Sequence, residues 1–303
     1  MDAESARLRS LVLNDALSCD SILLSGGLDT SIASEALKTI IDNKNESKLR
    51  TGITLTIDPD NNTVAQANGL FTQQPQDILY ARKIAAKLGL EHHVIEPSLD
   101  DLINGPTMDF LRTFDGMELR NAVVIASSLM FAKKLGCRLF AGYSFMHRMD
   151  DPALRKYTRN MVKTMSFCAF PLAKELGLEA WSPYLDPRII EYALKIGEFA
   201  GATHGKLILR KAFPEVISAE RRKEPIECGS GTTVIPALME LLISDADFES
   251  EAREALAHTI CAYFRSFRRV VWTAPCYGAD AQVWAGTCPD CKFRLKDGPA
   301  SAT

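Results

Sequence analysis

Residues 21–31 read Ser21-Ile-Leu-Leu-Ser-Gly-Gly-Leu-Asp-Thr-Ser31. An apolar run meets two successive glycines and then a segment with helical spacing. Ile32, Ala33, Ala36, Leu37 and Ile40 recur at the intervals of one helix face. The expectation is a buried strand over 21–25, a glycine turn, and a helix over 30–41.

That junction has the chemistry of an anion site. Gly26 and Gly27 let consecutive backbone N–H groups form a concave nest. The helix start adds unpaired N–H groups and a positive dipole end. Ser25, Thr30 and Ser31 contribute hydroxyl donors. Asp29 belongs beside phosphates only if a cation stands between them, which points to Mg²⁺. The segment lacks the lysine-bearing G-x-x-x-x-G-K-[ST] pattern of a Walker loop. A plain strand–turn–helix connection also uses Gly and Ser, but six residues of the right type in order favour the anion reading.

Outward from this loop, Ile53, Leu55 and Ile57 alternate in a second strand over 51–58. The polar stretch 59–76 reads as a loop with several breakers. A helix over 77–88 ends at Gly89, and "LEHHVIE" is a third strand. Strand–helix alternation argues for an α/β fold with a parallel sheet covered by helices. Beyond residue 98 the pattern is mostly helical, over 98–104, 107–113, 120–135, 151–176, 187–197, 206–212 and 234–243. One domain is expected over 1–250, helical from about residue 140, with a cysteine-containing tail over 251–303.

The composition excludes several classes. The 303 residues are 47% hydrophobic and 24% charged, with a net charge of -3. No long basic run points to nucleic acid, and no apolar run is long enough to span a bilayer. The start of the chain is acidic and amphipathic, unlike a signal peptide. The eight cysteines are not spaced like a secreted disulfide framework. The expectation is a reducing, cytoplasmic compartment. Cys288-Pro-Asp-Cys291 has the spacing of a zinc knuckle, and Cys261 and Cys276 would complete four thiolates. A structural Zn²⁺ is the first reading, and unligated thiols in a tail the other.

Lys206 and Arg210 lie four apart, and Lys223 precedes Gly229-Ser-Gly231. Taken singly, each cation reads as a solvated surface charge. His92 and His93 read as structural. Asp77 and Asp186 read as helix caps, Asp186 with Pro187 in the first helical position.

"LLSGGLDTS" resembles the PP-loop of the N-type ATP pyrophosphatases, and most of all the synthetase domain of the asparagine synthetase family. "AAKLGLEHHVIE", "LFAGYSF" (139–145), "AWSPYLDPRIIEYALKI" (180–196) and "GKLILRKAFPEVISAERRKEPIECGSG" (205–231) resemble further family segments in order. The resemblance covers roughly residues 10–235. It implies an adenine nucleotide alpha hydrolase-like fold and an AMP-forming amide ligase. ATP would activate a carboxylate such as aspartate as acyl-AMP, and ammonia or another amine would attack it. Ser25, Gly26, Gly27, Asp29, Thr30 and Ser31 would hold pyrophosphate and Mg²⁺. Leu24 and Leu55 would border adenine through backbone groups. Lys206 and Lys223 would stabilise phosphate charge, as preorganised cations do. A PP-loop enzyme acting on a nucleobase or tRNA is the rival reading.

Two departures from the family stand out. Residue 2 is Asp, where glutamine-using members carry the cysteine of a glutaminase domain, so nitrogen would come from ammonia, another amine or a glutaminase partner subunit. "KKLGCRLFAGYS" runs from Gly136 to Leu139 with only Cys137 and Arg138 between. Aligned on the end of the family's second nucleotide motif, that register leaves no room for a central strand or an acidic loop. It predicts a deletion at this point, with the sheet closing up, Phe140-Ala-Gly taking part of the strand's place, or else poor folding; an inactive ATP- or partner-binding protein is the non-enzyme reading.

Overall fold

The computed structural model describes residues 2–14, 19–44, 49–71, 74–112, 119–141, 168–195 and 206–238. They fall into two compact units. The first is drawn from Met1–Thr56, Pro75–Glu96 and Val124–Ser230, the second from Ile57–Gln74, Pro97–Val123 and Gly231–Thr303.

The first unit holds a five-stranded sheet. Its strands are β1 (Ser21–Leu23), β2 (Thr51–Leu55), β3 (Glu91–Ile95), β4 (Leu139–Ala141) and β5 (Glu179–Trp181), in the order β3-β2-β1-β4-β5. Every pairing is parallel. All five residues of β2 are buried, as a parallel strand covered on both faces requires. The chain steps from β1 outward through β2 to β3 and then returns to the other side of β1. The carboxyl end of β1 is therefore a topological switch point, where open α/β sheets place their ligands.

The central strand expected to be missing is present. β4 is Leu139–Ala141 itself, with Ser21 opposite Phe140 and Ile22 opposite Ala141. Leu139–Ala141 thus takes the place of the strand expected to be missing, while only Cys137 and Arg138 stand between Gly136 and Leu139, where the acidic loop was expected to be absent. β5, three residues long without alternation, was not legible as a strand. The stretch after β2 is not all loop either. It contains a 3₁₀ turn at Pro59–Asn61 and the short helix α3 (Thr63–Ala67), both in the second unit. The expected helices over 151–176 and 234–243 lie largely outside the described residues.

Helices α1 (Ala3–Asn14), α2 (Leu28–Lys44), α4 (Asp77–Leu88), α8 (Ala169–Glu175), α9 (Pro187–Lys195), α10 (Leu207–Ala212) and α11 (Ile226–Ser230) belong to the first unit. α5 (Leu99–Asn104) and α6 (Pro106–Arg112) belong to the second, and α7 (Leu119–Lys134) lies mostly in the first. α2 carries two apolar stripes. Ile32 and Ala36 join a cluster with Leu8, Val12, Tyr184, Ile208 and Phe213. Ala33 and Leu37 join another with Ile22, Leu24, Ala81 and Ile84. Burial on both sides fixes the helix that begins at the glycine loop. α1 packs on α10 as well as on α2, and the Arg9 guanidinium donates to the Ala212 carbonyl at 2.8 Å.

Candidate functional site: a charged cleft at the end of β1

The chain leaves β1 at Leu23, and α2 begins at Leu28. Asp29, Thr30 and Ser31 therefore occupy the first helical turn. Hydroxyls knit the loop together. Ser25 Oγ lies 3.1 Å from Thr30 Oγ1, the Gly27 amide donates to Ser25 Oγ at 3.3 Å, and Thr30 Oγ1 donates to the Gly27 carbonyl at 3.2 Å. Gly26 adopts φ +68. A Cβ there would stand 2.5 Å from the Asp77 carbonyl oxygen and 2.6 Å from Tyr80 Cβ. The first glycine thus serves the close approach of the loop to α4 as much as any anion.

A cleft opens beside this loop. Its lining includes Ser25, Gly27, Asp29, Thr30, Arg221 and Lys223. Lys206 reaches Asp29 Oδ2 with its Nζ, and both side chains are largely buried, at 6% and 17% exposure. Burial lowers the pKa of the Lys206 ammonium, Asp29 pulls it back up, and Lys223 and Arg210 add repulsion. Lys206 does not sit within a helix, as the i, i+4 spacing had implied. It precedes α10 in the left-handed conformation, φ 55 and ψ 42, although its carbonyl accepts the Arg210 amide. Among the described residues it alone, other than glycine, has positive φ. Backbone strain of this kind gathers at functional sites.

Lys223 lies at the exposed side of the cleft and donates to the Glu224 carbonyl. Ser31 is buried at 1% exposure and does not line the cleft. Leu24 and Leu55 are buried and do not line it either. The Leu24 amide donates to the Ile53 carbonyl at 2.8 Å, and its carbonyl accepts the Thr54 hydroxyl at 2.6 Å. Cys261, Cys276, Cys288 and Cys291 lie outside the described residues. Asp186 caps α9, accepting the Arg188 amide at 2.7 Å.

Sequence reasoning missed Arg221 and took Asp77 for a cap. The Asp77 carboxylate is paired with the Arg221 guanidinium at 2.8 Å, each side chain 6% exposed. Arg221 also bonds Glu224 Oε2 at 2.9 Å and the Ser25 carbonyl at 3.2 Å, and lies 4.6 Å over the Tyr80 ring. A Cβ on Gly229 would meet Asp77 Oδ1 at 2.1 Å, so the glycine leaves room for that carboxylate. Only the run Arg221-Arg-Lys223 hinted at this network. Its partner lies far away in the chain, which a single sequence does not reveal.

Burial pushes the Asp77 carboxyl up to about 7, against the opposing pull of Arg221. An unfolded aspartate ionises near 3.8. Between those values the folded chain holds a proton that the unfolded chain has lost. This contribution to stability therefore falls as pH rises through the window and is level above it. The stability margin of the wild type over Asp77→Asn should shrink between about pH 4 and about pH 7. Urea unfolding across that range checks this, and a constant margin would contradict it.

Among the described residues, no group of three or more His, Cys, Asp or Glu side chains is placed to hold a metal. Asp29 offers one carboxylate, already shared with Lys206. Mg²⁺ is commonly held by one or two carboxylates plus substrate phosphates. The donor set therefore fits a cation arriving with a nucleotide. Among the described residues no helix is long and apolar enough to cross a membrane.

No family model matches the chain. It is 24% identical over 259 residues to the glutamine-hydrolysing asparagine synthetase B of Escherichia coli (strain K12), a match covering 76% of this chain and 45% of that protein. It is 25% identical over 233 residues to the glutamine-hydrolysing asparagine synthetase of Gallus gallus, covering 70% and 38%. The chain thus spans less than half the length of these curated relatives. Superposition on the U34-tRNA thiolase NcsA from Methanococcus maripaludis, solved with its 4Fe–4S cluster, gives a TM-score of 0.36. That superposition has 13% identity and covers 88% of this chain and 79% of that one. The strand–loop–helix with its charged cleft, together with the two distant sequence matches, supports placing the chain in the PP-loop superfamily of ATP-using proteins.

Proposed function

We propose that the chain binds ATP by its phosphates in this cleft and activates a carboxylate in the manner of asparagine synthetases. A carboxylate oxygen, of aspartate or a similar acid, bonds to the α-phosphorus, and the bond to the β-phosphate oxygen breaks to release pyrophosphate. An amine then attacks the acyl carbon, and AMP leaves with the bonding pair. The amine is ammonia, free or delivered by a glutaminase partner.

The observation that carries this reading is the meeting of Lys206 with Asp29. A cation 177 residues away in sequence is buried against Asp29 in the first helical turn of a Ser-Gly-Gly loop; Asp29, Arg221 and Lys223 line the cleft, and Lys206 adjoins it through Asp29. Negative charge developing on the departing pyrophosphate meets fixed positive groups, and such preorganised charge is commonly the largest catalytic contribution. The Ser25 and Thr30 hydroxyls and the α2 N-terminus would orient phosphate oxygens. Mg²⁺, held by Asp29 and those oxygens, would neutralise phosphate charge. The cytoplasmic location and the zinc tail remain part of the proposal.

ATP–pyrophosphate exchange tests it. Exchange that requires aspartate or another small carboxylic acid is the expected result. Exchange that requires tRNA alone overturns the amide-ligase reading. Nucleotide binding without AMP formation, with aspartate and ammonia present, leaves an ATP-binding protein without this activity.

A further inference from the structure

We propose that Arg221 is a positioning residue for the phosphate loop: by pinning the Ser25 carbonyl it fixes the backbone that sets the Ser25 hydroxyl in the cleft wall toward the anion. The inference rests on reading the cleft as a phosphate site.

The Ser25 and Gly26 carbonyls are gripped by one short segment. Arg221 donates to the first at 3.2 Å, and the buried Ser218 hydroxyl donates to the second at 2.7 Å. In a planar trans peptide the C=O and the next N–H point in opposite directions. Holding those two carbonyls toward residues 218–221 therefore turns the Gly26 and Gly27 amides away from that segment. The Gly27 amide donates to Ser25 Oγ at 3.3 Å, so the same grip sets where the cleft-lining Ser25 hydroxyl stands toward an anion. Gly26 has no Cβ to resist a misdirected peptide, so the direction must come from outside the loop.

Arg221 is itself held on several sides. Asp77 and Glu224 take one end of its fork, at 2.8 and 2.9 Å, and the Tyr80 ring lies against its face at 4.6 Å. Its backbone is held by Arg210, whose guanidinium donates to the Ser218, Ala219 and Arg221 carbonyls, the last at 2.6 Å. α10 thus shapes the turn, and the turn places the fork. A salt bridge serving stability alone would need neither a bond to the loop backbone nor a place in the cleft wall.

A planar fork can hold two carboxylates and a carbonyl together, which a lysine ammonium on a flexible stem cannot. Arg221→Lys should therefore weaken pyrophosphate and ATP binding about tenfold, the size of one lost charge-assisted hydrogen bond. Ser218→Ala should weaken it less, in the same direction. Arg9 makes a comparable contact elsewhere, bonding the Ala212 carbonyl at 2.8 Å and Glu215 at 2.6 Å, and Arg9→Lys should leave binding unchanged.

Calorimetric titration of the full chain with Mg²⁺-pyrophosphate and Mg²⁺-ATP, below the unfolding temperature of each variant, reads this out. If the wild type binds neither, the phosphate-site reading falls and takes this inference with it. If the wild type binds and Arg221→Lys binds equally well, the positioning role alone is overturned. Should Arg221→Lys not fold, Ser218→Ala decides, and wild-type affinity there overturns the proposal. Equal losses in Arg221→Lys and Arg9→Lys also overturn it, because a general loss of packing would then account for both.

Discussion

Gly26→Ala should destabilise the protein by about 2–5 kcal/mol, the sum of a left-handed alanine and an overpacked contact. The backbone angle is +68, a conformation in which a Cβ crowds its own chain. The space is also occupied, since the new carbon would stand 2.5 Å from the Asp77 carbonyl oxygen and 2.9 Å from the Ala81 nitrogen. Both atoms belong to α4, so no side-chain rotation relieves the contact. A domain stable by about 5–15 kcal/mol would lose a large share of that. The midpoint of thermal unfolding should fall by about 3–8 °C, or the variant should fail to accumulate as folded protein. Gly27→Ala is the control. Its φ is not in the positive range, and within 4 Å its Cβ would meet only the Ser25 hydroxyl, at 3.2 Å. Circular dichroism melts of the two variants should differ sharply. Equal melts would mean that the approach of loop to α4 does not constrain the fold.

The contrast between the glycines shows what the sequence could carry. Ser-Gly-Gly after an apolar run announces a turn and an anion nest, because those depend on local backbone freedom. It does not say that the first glycine abuts another helix, since that contact joins residues more than fifty positions apart. The parallel sheet was legible for the same local reasons in β1, β2 and β3, where apolar runs alternate with helices. It was not legible in β4 and β5. Each is three residues long. β1 is just as short, but a Ser-Gly-Gly turn and a helical stripe mark its end; β4 and β5 have no such marker, and the resemblance read Leu139 as part of a motif's end. Lys206 and Lys223 were reached only through ordered family segments, and the structure brings Lys206 to the loop. Arg221 and Asp77 show the limit most clearly. Each has a bland local explanation, and only the folded chain places one against the other beneath the loop.

Lys206→Met should separate stability from chemistry. Removing one partner of a buried ion pair costs about 3–5 kcal/mol; with Asp29 at 17% exposure, the lower part of that range is expected. Its effect on ATP–pyrophosphate exchange should be larger, about 10²–10³-fold, the loss typical of one preorganised charge-stabilising donor. Two further variants divide these effects. Asp29→Asn combined with Lys206→Met leaves no uncompensated carboxylate, so stability should return toward the wild type while exchange stays low. Lys206→Gly removes the ammonium but also releases the strain at φ 55, worth about 1–2 kcal/mol. It should therefore unfold at higher urea than Lys206→Met yet exchange no faster. A lysine kept only to neutralise Asp29 would behave differently, and in that case the double variant would recover exchange along with stability. The backbone supplies the remaining argument. An ordinary structural lysine gains nothing from a left-handed conformation, whereas one that must turn inward from the head of α10 and bury its charge at the phosphate loop has a reason to bear the cost.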